Sequence, residues 1–309
     1  MRIAIIGPGA IGCYLAAVLT KGRHEVWLLD KNRQRQAILE KQGVTVEDSG
    51  NSWTVAVNVT VEPKDIKAVD LVIVGVKSYD TKEAISRAAE LIGENTTVLT
   101  LQNGIGNIEI ISEVVGQDKV IGGVTNLGVT LLEWGKVRLA GKGETIIGRS
   151  DGRIPVQMRA LREAFNSLGL NMRISRDINS ILWSKLIINV GINALTAITR
   201  LANGRILEFD GSRRILQELV REATRIAKRK RIKLIYDDPV AKVEAVCEAT
   251  SGNISSMLQD ILRRKRTEID FINGVIVRQG QELNIPTPFN AAVVDLVKTI
   301  ESSYSLAVS

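Results

Sequence analysis

Lys185, Asn189 and Asn193 recur at intervals of four residues in an otherwise apolar stretch, residues 183–204, which reads WSKLIINVGINALTAITRLANG. Residues four apart lie one turn apart on a helix, so the three side chains would form a polar stripe about 12 Å long. A buried polar group without a partner costs about 1–3 kcal/mol, and an unpaired charge costs more. Two interpretations follow. Either the amides bond to other helices while the lysine extends to the surface, or the stripe lines a cleft in which the lysine donates a proton or binds a carboxylate.

A second polar pattern occupies residues 253–274, NISSMLQDILRRKRTEIDFING. A continuous helix would place Ser256 and Glu268 on roughly the same side, about three turns apart. Asp260 and Glu268 then either pair with the neighbouring arginines on a solvated surface or, like the lysine stripe, contribute to a ligand site.

The third candidate is a glycine-rich turn between the apolar run RIAIIG and the helical pattern AIGCYLAAVL. In such a unit the first glycine permits a tight turn, the second lets the backbone approach a pyrophosphate, and the third lets the helix pack closely on the strand. The helix N-terminus offers N–H groups to the phosphates. This context favours a dinucleotide site over a turn without a ligand. The predicted binding residues are Gly7, Pro8, Gly9, Ala10, Ile11 and Gly12.

The choice of dinucleotide stays open. An acid at the end of the second strand usually accepts the ribose hydroxyls of NAD, whereas a nearby arginine or lysine accommodates the additional phosphate of NADP. The segment LLDKNRQR offers both, because Asp30 is followed by Lys31, Arg33 and Arg35.

Two later strand ends carry further candidates, because ligands of open α/β sheets bind outside the carboxyl ends of the strands. Lys77 follows DLVIVGV, and Gln102, Asn103 and Gly104 follow TVLTL. Each residue is common in ordinary turns, but their shared position at strand ends favours ligand contact.

Short β-branched runs alternate with helical patterns in the first half of the chain, which predicts right-handed βαβ crossovers and a parallel sheet. Glycine-broken runs at residues 120–148 predict strands that pair at the end of this sheet, and from about residue 153 patterns of helical length dominate. We therefore expect an α/β Rossmann-type dinucleotide-binding domain at residues 1–172. An all-α domain at residues 173–309 would carry the substrate-binding and catalytic residues.

Composition excludes several classes of function. Of the 309 residues, 45% are hydrophobic and 24% are charged, which is typical of a soluble globular protein of about two domains. Cys13 and Cys247 are too few for a disulfide framework or a metal knuckle, so we expect a reducing cytosol and no metal site. His24 is the only histidine and lies in a turn. A proton donor in this chain is therefore expected to be another residue.

The net charge of +7 is visible in two basic runs, AKRKRIK at 227–233 and LRRKR at 262–266. No nucleic-acid-binding motif accompanies them, so solvated helix faces or an anionic ligand explain them better than nucleic acid. A Gly-Pro-Gly turn interrupts the apolar N-terminus where a signal peptide would be unbroken. No run approaches the ~18 uncharged apolar residues of a membrane span. We expect neither nucleic-acid binding nor membrane insertion.

Together these motifs resemble the ketopantoate reductase (2-dehydropantoate 2-reductase) family along essentially the whole chain. The similar segments are GPGAIG, VKSYDT, LQNGIGN, GGVTNLG, WSKLIINVGINALTA, the Asn-Gly pair at 203, SSMLQDILRRKRTEIDFING and IPTPFN. The specific part of the resemblance is the helix that carries Lys185, Asn189 and Asn193, together with the motifs SSMxQD and EID. The glycine-rich turn is less specific, because it occurs in many dehydrogenases. The resemblance implies a Rossmann-type domain followed by a helical domain of the 6-phosphogluconate dehydrogenase C-terminal-like class.

The resemblance also implies an activity, the NADPH-dependent reduction of 2-dehydropantoate to (R)-pantoate on the route to pantothenate and coenzyme A. Lys185 would be the general acid, and Glu268 would hold the lysine and the ligand hydroxyls. The implied substrate-binding residues are Asn103, Lys185, Asn189, Asn193, Asn203, Asn253 and Ser256. The implied cofactor-binding residues outside the glycine-rich turn are Asp30, Lys31, Lys77, Asn103 and Glu268.

One position departs from the family pattern. Members commonly carry an arginine near the end of the second strand for the 2′-phosphate, whereas Asp30 precedes Lys31 here. NADP(H) is the cofactor expected from the resemblance, and NAD(H) is the alternative. Two other functions stay open: reduction of another branched 2-oxo acid, and a dinucleotide-binding regulator without turnover. A homodimer through the helical domain is compatible with the resemblance, although no spacing selects it.

Overall fold

The computed structural model describes residues 1–306. The described chain forms two compact units, one of Met1–Gln102 with Gly106–Ile178 and one of Asn103–Ile105 with the chain from Asn179 onward. The last change of unit along the chain falls between Ile178 and Asn179. The domain division predicted from the sequence, between residues 172 and 173, lies upstream of it and stays a prediction.

The first unit combines strands and helices. Its strands are β1 (Arg2–Ile6), β2 (Glu25–Leu29), β3 (Val44–Asp48), β4 (Asn51–Val55), β5 (Asn58–Thr60), β6 (Leu71–Val74), β7 (Thr97–Thr100), β8 (Val120–Thr125), β9 (Gly128–Glu133), β10 (Lys136–Gly141), β11 (Thr145–Gly148) and β12 (Met172–Ile174). Its helices are α1 (Ala10–Lys21), α2 (Arg33–Gln42), α3 (Thr81–Arg87), α4 (Asn107–Val115) and α5 (Val156–Asn166). Short 3₁₀ turns lie at Pro63–Asp65, Ser78–Asp80, Ala89–Leu91 and Gln117–Lys119.

The main sheet has eight strands in the order β12-β11-β8-β7-β6-β1-β2-β5, and neighbours are parallel except for β11 against β8. The central β1 is buried and apolar beyond Arg2, as expected for a strand covered on both faces. Ile6 is in register with Leu29 of β2 and Val74 of β6. The carboxyl ends of these strands therefore lie at one edge of the sheet, and the predicted parallel α/β sheet is confirmed.

Residues 120–148 only partly follow the sequence prediction. β8 and β11 join the main sheet near one end, but β9 and β10 belong to a second sheet in the order β4-β3-β10-β9. The cause is the hairpin of β3 and β4, whose turn has left-handed backbone at Ser49 and Gly50. The other edge of β3 pairs in parallel with β10, which places β10 in the second sheet. Neither this hairpin nor β12 was predicted.

The second unit is helical, which confirms the predicted all-α region for the residues described. Its helices are α6 (Ile178–Thr199), α7 (Asp210–Arg229), α8 (Pro239–Ala249), α9 (Ser256–Leu262), α10 (Asn273–Leu283) and α11 (Pro288–Ser302), with 3₁₀ turns at Asn203–Leu207 and Ile269–Phe271. The apolar side chains of α6, including Leu186 and Val190, pack in a core with those of α7 and α10.

Within residues 1–306, α6 is the one helix whose length and composition would allow it to cross a membrane, and 72% of its apolar window is buried inside the protein. A helix that is apolar all round is expected at the centre of a large helical core. α6 is thus positioned as the helix around which the second unit packs, and it carries the polar stripe into that core.

Candidate active site

The glycine-rich turn connects β1 to α1 in a conformation that requires glycine. Gly7 has a φ of 96°, and a Cβ on Gly12 would lie 2.2 Å from the Gly7 carbonyl oxygen. Beside Gly9, by contrast, the nearest atom to an added Cβ is the Gly75 carbonyl oxygen at 3.9 Å. The turn is therefore tight where strand and helix meet and open where a pyrophosphate would approach the backbone.

The residues at the N-terminus of α1 suit the binding of an anion. Gly9 is the N-cap and supplies no capping side chain, and the first turn contains no acidic residue. The Pro8 carbonyl accepts a hydrogen bond from Cys13 Sγ at 3.4 Å. The first backbone N–H groups of a helix have no intrahelical partner, so those of Ala10 and Ile11 suit a phosphate. The turn fits a dinucleotide.

Asp30 is bonded within the protein. Its side chain is 1% exposed and forms a two-point ion pair with Arg35, from Nε to Oδ2 and from Nη2 to Oδ1. Oδ1 also accepts from the backbone N–H groups of Lys31 at 2.6 Å and Asn32 at 3.2 Å. Burial lowers the pKa of Arg35, but hydrogen bonding and attraction to Asp30 outweigh burial, so the pKa is raised. The carboxylate charge is neutralised locally.

The other predicted cofactor residues of the first unit lie at strand ends. Lys31 is exposed, and its Nζ lies 3.2 Å from Asp80 Oδ2. Lys77 is half-buried and precedes the 3₁₀ turn at Ser78–Asp80. Both follow strands at the same edge of the main sheet as the glycine-rich turn.

In the second unit, α6 carries the predicted stripe. Lys185 and Asn189 are half-buried, and Asn193 is buried. Burial lowers the pKa of Lys185 to about 8, and attraction to Glu268 opposes this shift. Glu268 is itself buried and immediately precedes the 3₁₀ turn at Ile269–Phe271. The structure thus brings together a lysine and a carboxylate that are far apart in sequence.

The continuous helix expected across residues 253–274 is wrong. α9 ends at Leu262, and Arg264 has a φ of 52°. The Asp260 carbonyl accepts from the N–H groups of Arg263 at 3.1 Å and Lys265 at 2.9 Å, which closes the helix end. Ser256 and Glu268 therefore do not share one helix. Because Glu268 is 5% exposed, the alternative of an acid on a solvated surface does not hold at that position.

Two loops carry the remaining predicted substrate residues. Asn203 N donates to the Asn253 carbonyl at 3.0 Å, and Asn203 Nδ2 donates to Thr250 Oγ1 at 3.0 Å. Asn203 Oδ1 is buried and has no hydrogen-bond partner among the described residues. Asn253 and Ser256 are exposed. The loop residues thus comprise one buried acceptor without a partner among residues 1–306 and two exposed polar residues.

Asn103 belongs to the second unit together with the two residues that follow it. Ile105 N donates to the Phe271 carbonyl at 3.2 Å, so the segment from Asn103 is attached three residues beyond Glu268. Among residues 1–306, no group of three or more histidine, cysteine or acidic residues is arranged to hold a metal ion.

Comparison with known proteins assigns the family. The family described as "Ketopantoate reductase PanE/ApbA" matches residues 3–152, and "Ketopantoate reductase PanE/ApbA C terminal" matches residues 177–301. The chain belongs to the ketopantoate reductase family. The 2-dehydropantoate 2-reductase of Pyrococcus horikoshii is 37% identical over 302 residues, which cover 98% of each chain.

Solved structures of similar fold include members of this family and a relative of different specificity. A PanE/ApbA family ketopantoate reductase from Ralstonia eutropha JMP134 has a TM-score of 0.92 and 32% identity, and the match covers 99% of this chain and 100% of that one. D-mandelate dehydrogenase in complex with NADH and anilino(oxo)acetate has a TM-score of 0.90 and 27% identity, with coverage of 99% and 100%.

Within this ketopantoate reductase family member, Thr196 and Ser255 form a bonded pair next to predicted site residues Asn193 and Ser256, and this pair was not predicted from the sequence. Thr196 is fully buried, and its Oγ1 lies 2.7 Å from Ser255 Oγ. Ser255 caps α9 by accepting from Leu258 N at 3.1 Å. Thr196 lies about one turn beyond Asn193, and a serine before MLQD is a typical N-cap, so both signals were present in the sequence.

A buried network also connects α6 to three other helices and was not predicted. Asn273 Nδ2 donates to the Val190 carbonyl and to Asn290 Oδ1, each at 3.1 Å. Glu222 of α7 accepts from Phe289 N at 3.0 Å, from Asn290 N at 2.9 Å and from Asn290 Nδ2 at 2.7 Å. These bonds connect α6, α7, α10 and α11 through groups that the core excludes from water.

Proposed function

We propose that this chain reduces 2-dehydropantoate (ketopantoate) to (R)-pantoate in pantothenate and coenzyme A biosynthesis, with Lys185 as the general acid. The substrate is a small 2-oxo acid, and the cofactor is a nicotinamide dinucleotide. The observation that carries the assignment of the acid is a half-buried lysine whose pKa is lowered to about 8 beside a buried glutamate. Full-length similarity to 2-dehydropantoate 2-reductases supports the reaction.

In this reaction a bound nicotinamide dinucleotide supplies the hydride that reaches C2 of the oxo acid. Lys185 Nζ stabilises the negative charge that develops on the C2 oxygen and transfers a proton to it. Since the pKa of Lys185 is about 8, the ammonium form predominates at neutral pH, and it is a stronger acid than an ordinary lysine. Glu268 keeps the lysine protonated by its negative charge and holds it in position.

The amides and hydroxyls orient the substrate. Asn189, Asn193 and Asn103 bind the substrate oxygens, and Ser256 with Asn253 binds its carboxylate. Asn203 Oδ1 is a buried acceptor without a hydrogen-bond partner in residues 1–306, and leaving it unpaired costs about 1–3 kcal/mol. A hydroxyl group of ketopantoate would donate to it, which would remove this cost when the substrate binds.

For the dinucleotide, we infer that residues 7–12 bind the pyrophosphate and that Lys77, Asn103 and Glu268 contact the nicotinamide end. We propose NADP(H) as the preferred form. Asp30 is the acid that would repel a 2′-phosphate, and its charge is neutralised by Arg35. The exposed Lys31, which pairs with Asp80 at 3.2 Å, would contact the phosphate. Comparing kcat/KM for NADPH and NADH tests this preference, and a higher value for NADH would contradict it.

We further propose that the enzyme acts in the cytoplasm on free small molecules, bound to neither membrane nor nucleic acid. The 72% burial of the apolar window of α6 supports only the part of this proposal that concerns the membrane. A homodimer is proposed from the family resemblance alone, and sedimentation equilibrium would test it.

A panel of oxo acids tests the substrate. We expect ketopantoate to give the highest kcat/KM, and 3,3-dimethyl-2-oxobutanoate, which has the same carbon skeleton without the hydroxyl, to be at least about 100-fold poorer, because a buried acceptor then stays unpaired. Phenylglyoxylate represents the specificity of the mandelate enzyme. A higher kcat/KM for either of these two oxo acids would contradict ketopantoate as the preferred substrate. Dinucleotide binding without turnover of any oxo acid would indicate a regulator.

A further inference from the structure

Four polar residues in the motifs VKSYDT and LQNGIGN have no part in the reaction described above. They are Ser78, Thr81, Gln102 and Asn107. Ser78, Thr81 and Asn107 are each no more than 4% exposed, and Gln102 is half-buried. Burying so many polar groups is costly unless they bond to one another, so their arrangement requires an explanation.

Gln102 lies at the centre of this polar cluster. Its Nε2 donates to the Val76 carbonyl and to Thr81 Oγ1, both at 2.8 Å. Its Oε1 accepts from Thr100 Oγ1 at 2.9 Å. Both N–H groups and the carbonyl of this amide are therefore used, which leaves the side chain a single orientation.

The rest of the cluster supports Thr81. The single hydroxyl proton of Thr81 has two acceptors within reach, the Ser78 carbonyl at 2.8 Å and Asn107 Oδ1 at 3.0 Å. Asn107 Nδ2 donates to Ser78 Oγ at 3.2 Å. The bonds connect the turn after β6, the end of β7 and the first residue of α4. A fully bonded network of this kind specifies one geometry.

The bonds of Gln102 end next to two residues of the proposed site. The Val76 carbonyl immediately precedes Lys77, and Gln102 itself immediately precedes Asn103. β6 and β7 are adjacent and in register, Val74 with Thr100. The Gln102 side chain thus connects the segment after β7 to the segment after β6. The next residues in these two segments are Asn103 and Lys77, which are proposed to bind the ligand.

We propose that Gln102 is a positioning residue that fixes Lys77 and Asn103 for the nicotinamide end of the dinucleotide. The proposal rests on the function proposed above, because Lys77 and Asn103 are assigned to the cofactor there. The adenosine end is bound by other residues, in the glycine-rich turn and after β2. Loss of Gln102 therefore weakens productive binding of the nicotinamide and leaves the binding of a fragment without nicotinamide unchanged.

The test compares Gln102→Ala, Thr81→Val and Thr81→Ser with the wild type. Dissociation constants for the reduced dinucleotide are measured by its fluorescence, and for ADP-ribose, which lacks nicotinamide, by displacement. We expect kcat/KM for the dinucleotide to fall about 10- to 100-fold in Gln102→Ala and Thr81→Val, as misplacement of ligand contacts commonly causes. The ADP-ribose constant should stay within about twofold, and Thr81→Ser should restore most of the loss because it retains the hydroxyl.

A control variant removes a comparable side chain elsewhere in the first unit. Asn166 Nδ2 donates to the Met172 carbonyl at 3.0 Å, and Asn166 Oδ1 accepts from Met172 N at 2.6 Å. We expect Asn166→Ala to lower the melting temperature without changing either ligand constant. Equal weakening of dinucleotide and ADP-ribose in Gln102→Ala would overturn the proposal, as would no weakening of either. If the wild type failed to turn over ketopantoate, the proposed function would fail, while the two binding constants would still decide the role of Gln102.

Discussion

Lys185 combines two opposing influences on its protonation. Burial disfavours the ammonium form and lowers the pKa to about 8, while the negative charge of Glu268 favours that form. A general acid must be protonated when the substrate binds, so the rate of reduction should follow the protonated fraction of Lys185. This fraction is nearly complete below the pKa and declines as the pH rises through it.

The first prediction concerns the pH dependence of the wild type and of Glu268→Gln. In the wild type, kcat/KM for ketopantoate should fall as the pH rises above about 8. In Glu268→Gln the attraction that raises the pKa of Lys185 is lost, so the fall should begin at lower pH. Steady-state rates across the pH range measure both. Glu282→Gln, at an exposed residue of α10, serves as the control and should keep the wild-type profile.

The sequence predicted the importance of Lys185 and Glu268 but not the way in which they meet. Helical spacing alone indicated a polar stripe at Lys185, Asn189 and Asn193. The polar pattern of residues 253–274 indicated Glu268 as a candidate, and the family resemblance supplied its role. The expected continuous helix failed at Arg264, whose left-handed backbone ends α9. An arginine carries no strong local signal for that conformation, so the separation of Ser256 from Glu268 could not be inferred from spacing.

At the scale of elements, the hydrogen bond between Thr196 and Ser255 connects α6 to the start of α9. Ser256 follows directly, so the bond fixes the residue proposed to bind the substrate carboxylate relative to Asn193. Both hydroxyls are buried, at 0% and 7% exposure, and neither is proposed to touch the substrate. Their role should therefore appear in substrate affinity and not in the chemical step.

The second prediction follows for Thr196→Val, which keeps the shape and removes the hydroxyl. We expect KM for ketopantoate to rise about fivefold, consistent with roughly 1 kcal/mol for one hydrogen bond, and kcat to change less than about twofold. Thr196→Ser should retain the wild-type KM. Initial rates over a range of ketopantoate concentrations measure this, and an equal fall of kcat in both variants would contradict the assigned role.

The third prediction concerns the packing of α7 against α11. Glu222 is 1% exposed and accepts three hydrogen bonds at the start of α11. Glu222→Ala leaves those donors buried and unpaired, so we expect a loss of about 2–4 kcal/mol in unfolding free energy. Urea denaturation measures the loss. Glu218→Ala, on the same helix and in a partly exposed pair with Arg221, should change stability by less than about 0.5 kcal/mol.

Element prediction from the sequence depended on the strength of the local pattern. The buried runs of β1, β6 and β7 are β-branched and continuous, and they were predicted. β3 and β4 were not, because VTVED and NSWTV alternate apolar with polar residues over only five positions each. In the folded protein, β3 of this hairpin pairs with β10. β10 therefore does not extend the main sheet, as residues 120–148 were predicted to do.

At the scale of the whole molecule, the sequence sufficed for the two-part architecture of an α/β region followed by helices. It did not reveal that Asn103–Ile105 belongs with the helical unit, because that attachment depends on a hydrogen bond to Phe271, which is remote in sequence. Contacts of this kind leave no periodic signal, whereas alternation of strands and helices does.

The fourth prediction concerns the location of the full chain. α6 has the length and hydropathy of a membrane-spanning helix, but most of its apolar window is buried in the second unit. We expect the protein, expressed without detergent, to stay in the supernatant after ultracentrifugation of the lysate. Recovery mainly from the membrane pellet, with release only by detergent, would show that α6 is exposed to lipid.

The most direct test of the central claim is a single-turnover measurement of ketopantoate reduction by the wild type and by Lys185→Ala. The assignment of Lys185 as general acid predicts that the rate of reduction falls by about 10²- to 10⁴-fold in the variant, while the dissociation constant of the reduced dinucleotide changes little. Reduction at the wild-type rate in Lys185→Ala would contradict the assignment and require another proton donor.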